Sequence, residues 1–121
     1  MKKTELGAWG ESRAAELLES EGFRIVARNF RCRFGELDLI ARKGNILAFT
    51  EVKLRKSSSH GQAREFVTVS KQQKLRTTAS FYLAGRAWAQ ELQPRFDVVE
   101  IYAPYGQDGP VTLEHIADAF E

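Results

Sequence analysis

Asp38, Glu51 and Lys53 are the residues of this 121-residue chain whose types and spacing best fit a catalytic site. They fall in two runs rich in Leu, Ile, Phe and Val: Gly35-Glu36-Leu37-Asp38-Leu39-Ile40-Ala41 and Phe49-Thr50-Glu51-Val52-Lys53. Each run reads as a strand, with turn residues Lys43-Gly44-Asn45 between them. Side chains alternate along a strand, so Glu51 and Lys53 share a face with Phe49, their Cα atoms about 6–7 Å apart. Asp38 shares its face with Glu36 and Ile40. Whether the two faces coincide depends on the hairpin loop. A Gly44-Asn45 loop pairs Lys43 with Ile46 and Asp38 with Glu51. A Lys43-Gly44 loop pairs Asp38 with Phe49 and Glu36 with Glu51. Both put the two acids and the lysine on one side, whereas a three-residue loop would separate them.

Two carboxylates about 4 Å apart repel by about 4 kcal/mol at an effective dielectric near 20. A cation must offset this. Lys53 is one. A hard divalent ion, Mg²⁺ or Mn²⁺, is a stronger one, and it takes one or two carboxylates with water and substrate phosphate completing its shell. Asp38 and Glu51 suit that role, with Lys53 orienting an attacking water or balancing phosphate charge. The plainer reading is a cross-strand ion pair on a solvated sheet face. Flanking Ile46, Leu47, Ala48, Phe49 and Val52 leave little such face, as expected of a central strand.

The elements that must position these residues can be read in turn. Thr4 to Glu21 is expected to be a helix, with Leu6, Gly10, Ala14, Leu17 and Leu18 on one arc at 100° per residue and Gly22 ending it. Glu11 falls inside that apolar arc, where a carboxylate needs a reason. Phe23 to Arg31 reads as a strand, and Glu36 to Ala41 and Ile46 to Leu54 as the hairpin. Arg55 to Phe66 is polar and without periodicity, so a mobile loop is expected. Ser70-Lys71-Gln72-Gln73 has the form of a capping box opening a second helix, with Leu75, Ala79, Tyr82 and Leu83 as its buried stripe. Arg95 to Tyr102 and Val111 to Ile116 read as strands. The fold class is α/β, a central mixed sheet flanked by helices in the order αβββαββ. The length suits a single domain over residues 1–121.

Composition bounds the function. The hydrophobic fraction is 43% and the charged fraction 28%, ordinary for a globular chain. No apolar run reaches the roughly 20 residues that span a bilayer, and the opening MKKTELGAWGE has no apolar stretch that a secretory signal requires. The single cysteine, Cys32, excludes an internal disulfide and a CxxC zinc site, so a cytoplasmic location is expected. His60 and His115 are too far apart for a local metal motif. Net charge is +2, yet Lys53 to Arg76 carries +6 and Phe96 to the end has six acids and no Lys or Arg. A directed positive surface suits an anionic polymer.

The spacing Asp38…Glu51-x-Lys53 resembles the Asp…(Asp/Glu)-x-Lys core of restriction-endonuclease-like nucleases. More closely, the chain resembles the YraN family of small bacterial proteins, on Gly10-Glu11, Gly22-Phe23, Asn29, Gly35 to Ala41, Phe49 to Lys53, Arg55 and Arg95-Phe96-Asp97-Val98-Val99, over roughly residues 5 to 120. That family is similar to archaeal Holliday-junction resolvases. The resemblance implies a restriction-endonuclease-like core and a metal site in which a first-helix acid takes part, a role Glu11 matches. The proline that precedes the superfamily's Asp is Leu37 here.

The expected function is thus metal-dependent hydrolysis of nucleic-acid phosphodiesters, with DNA, branched DNA in particular, as substrate. Asp38, Glu51 and Glu11 are the expected metal ligands and, with Lys53, the catalytic set. Lys71 and Gln72, in the first turn of the second helix where N–H groups favour an anion, and Arg55, after the Lys53 strand, are the expected nucleic-acid contacts. A homodimer is expected because similar resolvases are dimers. The alternative is a non-catalytic nucleic-acid-binding or assembly protein that keeps the fold. A third reading is a structural ion-pair cluster with a protein partner. Asp97 reads as structural, and His60, His115 and Cys32 as incidental.

Overall fold

The hairpin that carries the acids closes on a two-residue loop. In the computed structural model, which describes residues 5–56 and 67–121, β2 (Gly35–Lys43) and β3 (Ile46–Arg55) pair antiparallel with Lys43 opposite Ile46. Gly44 takes φ +60° at the first loop position, where a glycine meets no Cβ penalty. Of the two registers open in the sequence, this is the one that runs toward Asp38 opposite Glu51, with pairing as far as Leu39 opposite Thr50.

Five strands form one sheet in the order β1-β2-β3-β4-β5, with β1 spanning Arg24–Cys32, β4 Gln93–Tyr102 and β5 Thr112–Phe120. The β3–β4 pair is parallel and the others antiparallel. A parallel pair needs a crossover, and here it carries α2 (Val69–Ala84) and the short α3 (Ala87–Gln90). α1 (Glu5–Ser20) covers one face. Its Ala14, Ala15 and Leu18 pack on Leu39, Ala41, Ala48, Val99 and Ile101. α2 covers the other, with Leu75, Ala79 and Tyr82 on Ile40, Leu47, Phe49 and Val98. With both faces covered, the middles of β3 and β4 are buried, which is why the charged residues there stand out.

α1 ends as expected from Gly22. Gly22 N–H donates to Glu19 O and Phe23 N–H to Leu18 O, both at 3.0 Å, with Gly22 at φ +96°. This is a Schellman closure, and Phe23 and Leu18 are buried in one cluster beside it. Beyond it, Glu21 Oε1 lies 2.6 Å from His115 Nδ1, and His115 Nε2 lies 2.7 Å from Asp97 Oδ2. Asp97 is fully buried and also accepts two Arg95 N–H groups at 2.9 Å and the Asp118 N–H at 3.0 Å. Burial alone would raise its pKa. The donors from His115, Arg95 and Asp118 outweigh that and hold it below the usual carboxylate range. Asp97 is structural, as the sequence suggested. His115 is not incidental: it ties the end of α1 and β5 to β4.

Other expectations change. The second helix is capped by Thr68, not Ser70. Thr68 is extended (φ −63°, ψ 162°) and its hydroxyl accepts the Lys71 N–H at 3.1 Å. Ser70 thus sits inside the first turn, and no capping box forms. β5 runs on to Phe120 because the β4–β5 ladder shifts between Phe96 and Val98 and Phe120 stacks on Phe96 at 5.0 Å. Asp118 takes φ +53° near that irregularity, which breaks the alternation that marks a strand. Arg55 belongs to β3, while residues 57–66 of the expected loop, including His60, lie outside the described residues. No described helix is long and apolar enough to cross a membrane.

Thr68→Ala should lower stability by about 1 kcal/mol, and Ser70→Ala should change it by a few tenths at most. Urea unfolding of the two variants checks the assignment of the cap.

Candidate active site

The sheet forks at the two acids. β2 and β3 pair from Lys43 opposite Ile46 as far as Leu39 opposite Thr50. β2 nevertheless runs back to Gly35 along β1, and β3 runs forward to Arg55 along β4. The two halves of the sheet therefore part at the next position, that of Asp38 and Glu51. Asp38 Oδ2 accepts the Val52 N–H at 2.8 Å. A side chain takes up a donor that a continued ladder would have used.

A cleft of about 390 Å³ opens at the fork. Asp38 and Glu51 line it from the sheet, and Gly7, Gly10 and Glu11 line it from α1. Positions seven, ten and eleven share one helical face, and the two glycines leave room beside the acid. Glu11 is 5% exposed. On the opposite side α2 contributes Lys71, Lys74, Leu75 and Thr78, again at helical spacing. Gly35 fixes the approach of β2 to that helix. It takes φ +152°, and a Cβ there would lie 2.8 Å from Thr78 Oγ1, so only glycine fits.

Electrostatics dominate the cleft. Glu51 is 6% exposed, and burial, then its hydrogen bond and repulsion with Asp38, push its pKa from 4.5 up to about 7. Lys71 partly counters this, with Nζ 2.5 Å from Glu51 Oε2. Lys53 lies beside the pair. Burial and then the Lys71 charge lower its pKa, although Glu51 and Asp38 pull the other way. Burial also disfavours the Lys71 ammonium, but its hydrogen bond to Glu51 and the nearby acids outweigh this and raise its pKa. Lys71 is thus the cation paired with Glu51, while Lys53 is the lysine whose ammonium its surroundings disfavour.

The fork brings Asp38, Glu51 and Lys53 together, and Glu11 lines the same cleft. Glu11 does not complete a three-acid ligand set. Among the described residues, no group of three or more His, Cys, Asp or Glu is placed to hold a metal ion. The residues that fit a divalent ion are therefore the adjacent Asp38 and Glu51, two hard oxygen donors whose mutual repulsion a cation would relieve. Of the three expected nucleic-acid contacts, Lys71 reaches the cleft. Arg55 turns to β4, its Nε 2.9 Å from Glu100 Oε2 with both side chains largely buried. Gln72 donates to Val67 O at 2.9 Å and accepts from Arg76 at 3.3 Å. Glu36 lines the cleft and meets Arg31 at 2.5 Å. Lys74 was missed by sequence reasoning. Its spacing of three from Lys71 was the signal, since the two share a helical face.

A family model described as "Uncharacterised protein family UPF0102" matches residues 10–101, a span that includes Glu11, Asp38, Glu51, Lys53 and Lys71. Similar curated proteins include a UPF0102 protein of Symbiobacterium thermophilum, 46% identical over 115 residues covering 95% of each chain. One of Caldicellulosiruptor saccharolyticus is 45% identical over 102 residues, 84% of this chain and 86% of its own. Another, of Syntrophotalea carbinolica, is 42% identical over 120 residues, 99% of this chain and 94% of its own.

The Glu51 shift has a consequence for stability. A carboxyl whose folded pKa exceeds its unfolded value contributes stability below the unfolded pKa. That contribution is lost as pH rises from 4.5 through about 7. Glu51→Gln keeps the shape, accepts from Lys71, donates to Asp38 and carries no charge. At pH 8 it should be more stable than wild type, on the order of 1–3 kcal/mol, with the gain much reduced at pH 5. Thermal unfolding at the two pH values reads this directly.

Proposed function

The chain belongs to the uncharacterised protein family UPF0102, and from that premise we propose that it is a metal-dependent nuclease that hydrolyses phosphodiester bonds of nucleic acid. The observation that carries the reading is the pair Asp38 and Glu51, held side by side in a forked sheet at the base of an open cleft. A fold gains no stability from two adjacent acids with one of them titrating near 7, so the arrangement suits a function that supplies a cation. The Asp…Glu-x-Lys spacing, the first-helix acid and the mixed sheet support reading the core as restriction-endonuclease-like, akin to archaeal Holliday-junction resolvases. On that reading the substrate is DNA, with branched DNA foremost, and the working unit is a homodimer.

Each residue then has a task. Asp38 and Glu51 would hold Mg²⁺ or Mn²⁺, which when bound supplies Lewis-acid polarisation of the scissile phosphate. Lys53, the amine with the lowered pKa, takes or orients a proton of the attacking water. Glu11 shapes the field from the α1 wall. Lys71 and Lys74 attract the phosphate backbone, and Lys71 exchanges its Glu51 contact for phosphate as substrate enters. The competing reading is a non-catalytic nucleic-acid-binding protein, favoured by the Lys71–Glu51 contact of 2.5 Å, which already neutralises one acid.

Cleavage of single-stranded, duplex, flap and four-way DNA with Mg²⁺ or Mn²⁺ separates the two readings. Wild type should cut at least one of these, Glu51→Ala none, and Lys53→Ala should be slower by about 10²–10³-fold. DNA bound by wild type but never cut with either metal would favour the binding protein.

Binding should also weaken steeply with salt. Lys71→Ala and Lys74→Ala should each reduce the log–log salt slope by about one. Arg55→Ala, its charge already answered by Glu100, should leave the slope unchanged.

A further inference from the structure

A second groove of about 300 Å³ adjoins the cleft and shares Lys74 with it. Phe34, Ser70, Gln73 and Thr77 line the rest, with no acid among these described residues. Phe34 is the last residue of the β1–β2 turn, immediately before Gly35 of the cleft wall. It lies within about 13 Å along the chain of Asp38.

Phe34 is 37% exposed and Phe81 44%. Their centroids are 5.6 Å apart in an edge-to-face contact. Phe81 in turn meets Phe30 at 6.5 Å, and Phe30 meets buried Tyr82 at 5.1 Å and 88°. The exposed rings are therefore held by a chain of aromatic contacts anchored in the core. Arg33 sits over the Phe34 ring at 4.8 Å. A rigid aromatic face, a guanidinium on it, and a lysine leading to the cleft form the combination that holds unpaired bases, rings on rings and phosphates on cations.

We propose that Phe34, with Arg33 and Phe81, forms a stacking platform for an unpaired base of the strand whose phosphate occupies the cleft. This rests on the nuclease reading and narrows it to substrates with a single-stranded segment beside the scissile bond. The groove is lined by hydroxyls, an amide and a lysine, which suits a phosphate-bearing strand better than a dry subunit contact. The two exposed rings are also far smaller than the roughly 800 Å² per partner that a stable interface buries.

The test is fluorescence anisotropy with EDTA present, so that cleavage does not enter, using a labelled 15-nucleotide oligo-dT and a hairpin duplex of equal charge. The proteins are wild type, Phe34→Ala and Phe34→Trp. Phe34→Ala should bind oligo-dT about tenfold or more weakly and the duplex within twofold of wild type. Phe34→Trp should restore oligo-dT binding. Equal loss on both DNAs, or no loss on either, overturns the platform, and so does a wild type that binds no oligo-dT. If wild type still cuts DNA in any of those cases, the nuclease reading stands without the platform. Dimerisation in sedimentation that Phe34→Ala abolishes would also overturn it, making the patch a self-contact.

Discussion

Two carboxylates that repel each other, held together by a sheet that parts around them, are the constraint on which the rest of this structure depends. Between Leu39 and Thr50 the β2–β3 ladder ends. Asp38 then accepts the Val52 N–H, so one of the two charges is anchored by the backbone of the strand that carries the other. Burial and Asp38 together move Glu51 to about 7. Asp38 cannot relax away without giving up that backbone hydrogen bond, and Glu51 cannot without giving up its contact with Lys71.

The surrounding elements answer that constraint from two sides. α2 brings Lys71 to Glu51, and the side-chain cap at Thr68 sets where that helix begins. α1 lies close to the sheet because Ala14, Ala15, Ala41 and Ala48 are small, which seats Glu11 and the two glycines at the mouth of the fork. Its far end is fixed by the Glu21–His115–Asp97–Arg95 chain. That second charged network is fully paired and far less open to a ligand. The contrast sets the first apart as the candidate site: Asp97 has donors for both oxygens and a lowered pKa, whereas Glu51 has a raised one.

Much of this was legible in the sequence. The Lys43-Gly44-Asn45 turn left two two-residue loops open, both of which set the acids on one face, so the cluster was readable before the register was. Glu11 was readable because a helix at 100° per residue places it on the buried arc. The fork was not, because a strand's composition does not say where its neighbour leaves it: Gly35 to Asp38 continues along β1 and not along β3. Arg55 looked available for phosphate because its partner, Glu100, lies 45 residues away across a parallel pairing that local pattern cannot reveal. His115 looked incidental for the same reason. The cap at Thr68 was not legible because a cap depends on the backbone being extended at that residue, a property the residue type does not disclose.

The most direct test of the central claim, that the fork is a cation site, is calorimetric titration with Mn²⁺ at pH 8, where Glu51 is ionised. Wild type should bind the ion, and Asp38→Asn should bind it more weakly by about tenfold or more, since even residues behind the ligands carry effects of that size. Wild type that takes up no ion through the millimolar range with oligonucleotide present, or Asp38→Asn that binds as wild type does, would contradict the account.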